Sequence, residues 1–523
     1  MITGISIENF KVFRKRIDLE LAPITLLFGR NSAGKSTVLQ ALGYAREMVV
    51  HGNATATHDE CGGFRNVLPG QGGPTEIAIG LRTRPTNAQL LQHFASFGGS
   101  VDEGLASRIR DIGLEVCGKW DLEERPHVGR WALTADGGYV VRIETQPNRE
   151  PILWTDFATQ WLSHAVRENL VPSLRPAADR PDFGVWKHLH PKLSNDVRAY
   201  YCMPGRKSAL PVAGLGLDMA GVDNDPLAAE AATEVDHLVL GSRSLFSQYL
   251  TGIRHVGPIR VVPPRGLVDH GWPTSAGWYD GSAAWALLQR QPKFATHHVG
   301  PALTMAQTGH GLRALEVALT RDPVGLATAI GLEIRDGLNE DWLAGVADNL
   351  AATERHVLLE ITSLGGTRTA HPKDVGVGVS QLIPVIAAAL SRADPLADGG
   401  ELPIGLVAIE QPELHVHPAV QSEIADLFVE TIHDLDTGEL SGRQYLIETH
   451  SEHLVLRLLR RIRETTENPD VPIDRRLRPE DIAIYYFDNV DGEVKVTRIG
   501  VDEDGEFTDK WPHGFFPERL KEL

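Results

Sequence analysis

The sequence predicts an α/β fold, and two features lead to this prediction. The apolar run Ile24–Phe28 ends in a glycine-bearing loop, and a helical pattern of apolar residues begins at Ser36. Two later apolar runs, Leu406–Ile409 and Tyr445–Ile447, also end in polar turns and are followed by helical patterns. Short apolar runs that alternate with helices are typical of a buried sheet covered by helices. The alternating apolar and polar residues before residue 20 predict an N-terminal β-hairpin.

The bulk composition predicts a folded protein of two or three lobes. The chain has 523 residues, and a single core stops growing at roughly 250–300 residues. Hydrophobic residues make up 42% and charged residues 23%, close to a globular average. No apolar run approaches the ~20 residues that cross a bilayer, and the start, Met1–Ile5, lacks a basic region followed by an apolar segment. We therefore expect a cytoplasmic protein without membrane contact.

The charged and cysteine residues exclude some classes of site. The formal net charge of −18 opposes a uniformly basic nucleic-acid surface but permits a local patch. Cys61, Cys117 and Cys202 lack CxxC spacing, which indicates neither a disulfide framework nor a zinc ribbon. Four arginines on one predicted helix could contact nucleic-acid phosphates, although a solvated helix face is favoured; they are Arg457, Arg460, Arg461 and Arg463.

The most specific motif is the loop Gly29–Ser36, which fits the pattern GxxxxGK[ST]. In this pattern, backbone N–H groups surround phosphates and the lysine neutralises the outer ones. The loop follows an apolar strand and precedes a helix, which is the context that the pattern requires. We expect Lys35 to contact phosphates and the Ser36 hydroxyl to bind Mg²⁺. The nucleotide-binding residues predicted here are Gly29, Arg30, Asn31, Ser32, Ala33, Gly34, Lys35, Ser36 and Thr37.

The second buried run ends in a carboxylate that is predicted to hold the metal. Leu406–Ile409 is followed by Glu410, and a metal beside a P-loop needs a hard oxygen ligand from a neighbouring strand. A buried strand ending in glutamate also has a purely structural interpretation. Beyond the next turn a helix is predicted, with Pro418 in its first turn.

The third run ends at Glu448 and leads to His450. The carboxyl ends of strands in α/β sheets bind ligands, and a neutral imidazole there can hydrogen-bond a γ-phosphate or an attacking water. A packed histidine is the alternative. Ser451 is expected to cap the helix that follows.

A second phosphate-binding turn is predicted at Asp374–Gln381, ahead of the helical pattern Leu382–Leu390. Glycines close to a helix N-terminus form an anion site, although a plain glycine-rich turn is the alternative. Ser380 is expected to cap this helix. The residues predicted to contact nucleotide here are Gly378, Ser380 and Gln381.

In this order, the four elements resemble the head of ABC-type ATPases of the SMC, RecF and OLD kind, which have a Walker A loop, a signature turn, a Walker B strand and a switch histidine. The stretches around Glu410 and His450 are similar to a bacterial subset of OLD-like ATPases with a C-terminal domain of unknown function. Trp511–Phe516 resembles the end of that domain, and Gly257–Arg260 resembles a motif in the middle of such proteins. Arg260 and Arg265 either reach a nucleotide or brace a loop.

This resemblance implies an ATPase with ATP and Mg²⁺ as cofactors. It also implies a homodimer, in which two heads sandwich two ATP molecules and Ser380 and Gly378 of one copy approach the γ-phosphate held by Lys35 of the other. OLD-like ATPases often act with a separate effector, such as a nuclease or toxin, in nucleic-acid surveillance, repair or anti-phage defence. DNA, RNA and protein all stay open as triggers, as does an oligomer larger than a dimer.

One position departs from the family pattern: Gln411 stands where the wider family has a glutamate that activates water. Glutamine cannot take a proton but can orient a water. We therefore expect slow hydrolysis, with Gln411, Glu413 and His450 as the catalytic candidates. A scaffold that does not hydrolyse ATP is the first alternative. A self-contained OLD-like nuclease is disfavoured, because only 73 residues follow His450 and Asp502–Asp504 lies in a predicted acidic loop.

The full prediction is an ABC-type P-loop ATPase head with an inserted mixed α/β lobe and a small C-terminal hairpin extension. Residues 1–85 form the N-terminal half of the head, and residues 351–470 form its C-terminal half. Residues 86–350 form the inserted lobe, and residues 471–523 form the extension.

Overall fold

The computed structural model describes residues 1–56, 63–69, 76–95, 110–120, 125–136, 138–146, 149–156, 197–201, 208–211, 226–265, 271–319, 354–363, 365–366, 368–396, 398–468 and 470–511. Parts of the predicted inserted lobe and C-terminal extension lie outside these residues, as do Cys61, Cys202 and residues 512–516. The chain divides into two units, Met1–Ile253 with Glu480–Gly500, and Arg254–Pro479 with Val501–Leu523. No helix within the described ranges combines the length and the apolar character that a membrane span requires.

An antiparallel sheet forms much of the first unit. Its strands lie in the order Ile17–Glu20, Ile2–Glu8, Glu76–Thr83, Ile112–Trp120, Pro126–Ala135, Gly138–Gln146, Arg149–Asp156 and Val197–Tyr201. The first two strands pair with Ile5 opposite Leu19, which confirms the predicted N-terminal hairpin. The sheet continues past residue 86, where the sequence predicts that the inserted lobe begins. Strands from that segment therefore extend the N-terminal sheet.

The P-loop strand of the first unit, Ile24–Gly29, lies beside the C-terminal hairpin. It runs parallel to Ile482–Val490, which pairs antiparallel with Glu493–Ile499. The turn residues Asp491 and Gly492 have φ angles of 54° and 82°, as a type I′ turn requires. The predicted hairpin is confirmed. Its first strand pairs with the whole length of the P-loop strand, from Ile24 to Gly29.

Four helices are described in the first unit: Lys35–Val50, Phe64–Val67, Asn87–Ala95 and Pro226–Thr251. Lys35–Val50, here called the P-loop helix, buries apolar side chains that include Val38 and Leu42. Arg243 donates hydrogen bonds to the carbonyl oxygens of Val49 at 3.0 Å and Val50 at 3.3 Å. These bonds satisfy carbonyl groups that the end of a helix leaves without intrahelical partners.

The second unit contains a pair of parallel strands, each of which ends in a turn that the sequence predicts to be functional. The Walker B strand, Leu406–Glu410, lies parallel to Gln444–Glu448, with Glu410 opposite Glu448. Ile253–Val256 neighbours the Walker B strand. Three helices accompany the strands: the signature helix Val377–Leu390, then Pro418–Thr431 and Glu452–Glu467. The strand–turn–helix order predicted for this part of the chain is therefore confirmed.

Smaller elements complete the second unit. His310–Leu319, Glu354–Ser363 and Thr369–Ala370 form an antiparallel sheet, and Ala393–Pro395 pairs with Glu401–Pro403. The short helices are Ser275–Tyr279, Ser282–Arg290, Pro292–Phe294 and Gly300–Met305, with a π-helical segment at Ala295–Val299. Single 3₁₀ turns occur at Pro372–Asp374 and Ile473–Arg475. Another, Pro479–Asp481, leads into the C-terminal hairpin.

Candidate nucleotide-binding site

The P-loop connects strand Ile24–Gly29 to the P-loop helix. Three of its residues have positive φ angles: 139° at Gly29, 62° at Ser32 and 105° at Gly34. Gly34 is the N-cap residue of the helix. Because this residue has no side chain to cap the helix, the helix N-terminus can receive a phosphate group.

Lys35 is buried against the loop that it is predicted to serve. Its side-chain ammonium donates hydrogen bonds to the carbonyl oxygens of Gly29 at 3.0 Å and Arg30 at 2.9 Å. The positive charge therefore lies at the loop. Of the other predicted nucleotide-binding residues, Arg30, Asn31 and Ser32 are exposed, Gly29 and Ser36 are half-buried, and Ala33, Gly34 and Thr37 are buried.

The C-terminal hairpin restricts the first residue of the loop. A Cβ atom at Gly29 would lie 2.0 Å from the backbone oxygen of Phe487. Both this contact and its φ angle require glycine at position 29. The sequence motif identifies Gly29, but only the pairing of Ile24–Gly29 with Ile482–Val490 shows that Phe487 contributes to the loop.

In the second unit, Glu410 ends the Walker B strand and is buried, with 5% of its surface exposed. Its Oε1 atom lies 2.9 Å from Nε2 of His255. The His255 ring also makes an edge-on contact with the Tyr279 ring, at 5.0 Å between centroids. Sequence reasoning missed His255, although the Gly257–Arg260 motif immediately follows the strand that carries it.

The Walker B turn, Gln411–His415, follows with a strained backbone. Gln411 has a φ angle of 44° and His415 one of 64°, a region that costs a non-glycine residue roughly 1–2 kcal/mol. The Gln411 amide donates to the Glu448 carbonyl at 2.8 Å, and the Leu414 amide donates to the Gln411 carbonyl at 3.2 Å. The first bond holds the turn against the neighbouring strand, and the second closes the turn on itself.

Glu413 contacts the switch turn, Thr449–Ser451. Its carboxylate accepts hydrogen bonds from the Thr449 hydroxyl at 2.8 Å and from the His450 amide at 2.7 Å. Burial raises the pKa of Glu413 in spite of these bonds. His450 is exposed at the end of strand Gln444–Glu448, and Ser451 caps the next helix by accepting from the Leu454 amide at 3.0 Å, as predicted.

The signature helix corrects one prediction. It begins at Val377, with Gly376 as the N-cap residue, so Ser380 lies inside the helix and the prediction that it caps the helix is wrong. The Ser380 hydroxyl is buried and donates to the Pro372 carbonyl at 2.5 Å. This bond ties the preceding 3₁₀ turn to the helix. Gly378, another residue predicted to contact nucleotide, lies in the first turn of this helix.

Gln381 and Arg260 form a reciprocal pair in the second unit. The Gln381 side chain accepts from the Arg260 backbone amide at 2.9 Å and donates to the Arg260 carbonyl. The Arg260 guanidinium donates to the Glu410 carbonyl at 2.7 Å. Burial lowers the pKa of Arg260 to about 10, while the nearby carboxylates of Glu413 and Glu410 oppose that shift. The geometry favours the interpretation that Arg260 braces a loop. Gln381 stabilises the same loop by binding the backbone of Arg260.

The other candidate residues have partners within the second unit. Arg265 forms an exposed ion pair with Asp374. The four arginines of helix Glu452–Glu467 bind acidic groups, which favours the solvated face over a phosphate-binding patch: Arg457 and Arg461 contact Asp426, Arg460 contacts Glu464, and Arg463 contacts Glu506.

The acidic loop considered for a nuclease has a local structural role. The Asp502 carboxylate accepts from the backbone amides of Asp504 at 3.1 Å and Glu506 at 2.8 Å. Among the described residues, no group of three or more His, Cys, Asp or Glu side chains is arranged to hold a metal.

Comparison with known families assigns the two segments that carry these motifs. Residues 1–45 and 347–455 match the family described as "AAA ATPase domain". These two segments are similar to an AAA ATPase domain. This match confirms the predicted resemblance to ABC-type ATPases, and a nucleotide-binding ATPase head is the function class that it shows. Residues 477–523 match the family described as "Protein of unknown function (DUF3696)", which confirms the predicted C-terminal domain.

Solved structures similar to this chain include three heads of SMC proteins. The SmcHead bound to the C-winged helix domain of ScpA has 10% identity and a TM-score of 0.40, and the match covers 95% of this chain and 98% of that chain. The SMC head domain from Thermotoga maritima has 9% identity and a TM-score of 0.36, with 96% of this chain and 99% of that chain covered. The Smc head domain with an extended coiled coil bound to the C-terminal domain of ScpA, from Pyrococcus furiosus, has 9% identity and a TM-score of 0.38, with 95% and 96% of the two chains covered. The ATPase assignment rests on the family match. No curated protein matches the chain.

The close approach at Gly378 generates a test of the signature turn. A Cβ atom there would lie 2.3 Å from the His415 carbonyl oxygen, whereas a Cβ at Gly376 meets nothing within 4 Å. Gly378→Ala should force the signature helix away from the Walker B turn and lower the free energy of unfolding by about 1–3 kcal/mol. Gly376→Ala, the matched control, should lower it by no more than about 1 kcal/mol, which is the cost of alanine in place of glycine at an N-cap. Urea denaturation measures both, and equal effects would contradict the contact.

Proposed function

We propose that this chain binds ATP with Mg²⁺ at Gly29–Thr37 and hydrolyses it slowly. The observation that supports this most directly is the P-loop geometry within a segment that matches an ATPase domain. Positive φ angles at Gly29, Ser32 and Gly34 shape the loop, and the helix after Gly34 starts without a side-chain cap. Lys35 supplies the positive charge that the outer phosphates require.

Ser36 and Glu410 are the residues that would hold the Mg²⁺ ion. Mg²⁺ prefers hard oxygen ligands and is held by few protein groups together with phosphates and waters. The Ser36 hydroxyl and the Glu410 carboxylate fit this preference, and Glu410 is buried at the end of its strand. The ion would neutralise the charge that develops on the transferred phosphoryl group.

Gln411, Glu413 and His450 are the proposed catalytic residues. Gln411 orients the attacking water, because an amide can hydrogen-bond a water but cannot remove its proton. Glu413 holds the switch turn through the Thr449 hydroxyl and the His450 amide. His450 lies exposed at the strand end, where its ring can contact a γ-phosphate or water. The missing general base accounts for the slow turnover that we propose.

The signature helix is the proposed contact with a second copy of the chain. Its N-cap residue is Gly376, and its first residue, Val377, is 55% exposed. A helix N-terminus carries a partial positive charge that favours a γ-phosphate. If each ATP contacts both copies only in the closed dimer, ATP binding shifts the equilibrium towards the dimer. Gly378 would bring the backbone close to that phosphate, and Gln381 would brace the helix. The Ser380 hydroxyl would leave the Pro372 carbonyl and contact the phosphate instead.

The biological part of this proposal comes from the resemblance to OLD-like ATPases. We propose a cytoplasmic, dimerising switch, in an assembly of two or more copies, that takes part in nucleic-acid surveillance, repair or anti-phage defence. Its partner would be a separate effector protein such as a nuclease or toxin. DNA, RNA or protein would serve as the trigger, and the segment between the matched parts of the ATPase domain is where that trigger would bind.

The experiment that tests this proposal compares wild type with Lys35→Ala. Loss of a charged hydrogen bond to the phosphates costs about 1.5–3 kcal/mol, which is roughly a 10- to 150-fold increase in Kd for ATP. We expect Lys35→Ala to bind ATP that much more weakly, to lack hydrolysis and to stay monomeric in light scattering, while wild type dimerises with ATP. Lys495→Ala, which removes an exposed lysine of the same unit, is the control. Unchanged binding in Lys35→Ala would contradict the site.

The scaffold alternative is favoured by one observation, the glutamine at position 411. Gln411→Glu introduces a general base, and such a base contributes roughly 10²–10⁴-fold to a rate. We expect ATP turnover to rise by at least one order of magnitude, as measured by phosphate release with and without DNA or RNA. A wild type that binds ATP and dimerises but is inert in every condition would establish the scaffold instead.

The raised pKa of Glu413 predicts the acid limb of the pH–rate profile. As pH falls through this raised pKa, the carboxylate is protonated and no longer accepts both hydrogen bonds from the switch turn. Hydrolysis should therefore decline at a pH above the ordinary pKa of a glutamate. Glu413→Gln should remove this limb because an amide does not titrate, whereas Glu439→Gln, at an exposed site, should keep it. An acid limb that survives in Glu413→Gln belongs to another group.

A further inference from the structure

Arg260 lies on a loop whose backbone is fixed from both sides. The Gly257 amide donates to the Tyr279 carbonyl at 2.9 Å, and the Val261 amide donates to the Asp280 carbonyl at 2.7 Å. Trp285 donates its indole N–H to the Val261 carbonyl at 2.9 Å. The side chain of Arg260 therefore projects from a rigid support and is 2% exposed.

The loop is bonded to the signature helix through Gln381. The side-chain amide of Gln381 accepts from the Arg260 N–H at 2.9 Å and donates to the Arg260 carbonyl, so that both backbone groups of one residue are satisfied by one side chain. Of the standard side chains, only an uncharged amide, as in glutamine or asparagine, both accepts and donates with this geometry. Any movement of the signature helix at Gln381 therefore acts on Arg260.

The same arginine is bonded to the end of the Walker B strand. Nη2 donates to the Glu410 carbonyl at 2.7 Å and to the Gln411 carbonyl at 3.4 Å. These two carbonyls lie on either side of the Gln411 Cα atom, and Gln411 is the residue with the positive φ angle. Such a conformation persists only where its surroundings hold it, and Arg260 is one of the groups that holds it.

We propose that Arg260 is a positioning residue that links the signature helix to the Gln411 backbone, so that occupancy of the signature turn sets the orientation of the Gln411 side chain. This inference rests on the proposed ATPase function. Arg260 does not touch nucleotide in this scheme. The guanidinium fork matters because Nη2 donates to the Glu410 and Gln411 carbonyls while Nη1 donates to the Gln381 carbonyl at 3.4 Å, and the single nitrogen of a lysine cannot reach both sides.

The first part of the test separates binding from chemistry. Arg260→Lys keeps the charge and loses the fork, and we expect its Kd for ATP to stay within about twofold of wild type while kcat falls about tenfold. Arg313→Lys, which alters an ion pair with Glu360 elsewhere in the second unit, should change neither value. A merely structural role would lower the midpoint of thermal unfolding and weaken ATP binding together, and that result would overturn the proposal.

The second part asks whether Arg260 acts through Gln411. If it does, Arg260→Lys in a Gln411→Ala background should lower kcat no further, because two residues that act as a unit are not additive. If the two substitutions together lower kcat by the product of their separate losses, the proposal is wrong. A wild type without hydrolysis would show that the proposed function has failed. Hydrogen exchange of the Gln411 and Leu414 amides still decides the inference in that case: ATP should slow it in wild type and leave it unchanged in Arg260→Lys and Gln381→Glu.

Discussion

Buried arginines that bind backbone carbonyl groups are the interaction on which the second unit depends. At the C-terminal end of the signature helix, Arg443 donates to the carbonyls of Ala388, Ala389 and Ser391. Arg254 donates to the carbonyls of Ala388 and Ser391 and to the carboxylate of Asp394. A helix C-terminus leaves such carbonyls without intrahelical partners and carries partial negative charge, which offsets part of the cost of burying two cations.

Arg260 applies the same chemistry near the other end of the helix. Its guanidinium donates to the Gln381 carbonyl of the helix at 3.4 Å and to the Glu410 carbonyl, just before the Walker B turn, at 2.7 Å. The signature helix is thus held at both ends by guanidinium groups, and one of them also fixes the turn proposed to position water. Movement of this helix and the backbone of Gln411 are therefore not independent. The slow switch that we propose would need such coupling, because the glutamine has no proton-accepting group with which to compensate for a misplaced water.

The first unit depends on a different constraint, the close approach of strands around the P-loop. Gly29 cannot carry a side chain because the Phe487 backbone occupies that space. The hairpin that contains Phe487 belongs to the segment matched as a domain of unknown function. One structural role of that segment is therefore to complete the sheet beside the P-loop.

The sequence by itself determined the elements whose cause is local. The P-loop, the strand ending in Glu410, the Ser451 cap and the C-terminal hairpin follow from glycines, apolar runs and capping residues that act within about ten residues of each other. The sequence misplaces the start of the signature helix, because the Ser380 hydroxyl donates to the Pro372 carbonyl eight residues earlier instead of capping the helix. Only the tertiary structure decided that His255 contacts Glu410, that Gln381 braces Arg260 and that Phe487 limits Gly29. Each of these contacts joins residues more than a hundred positions apart, and no local preference of a side chain encodes which distant backbone group it meets.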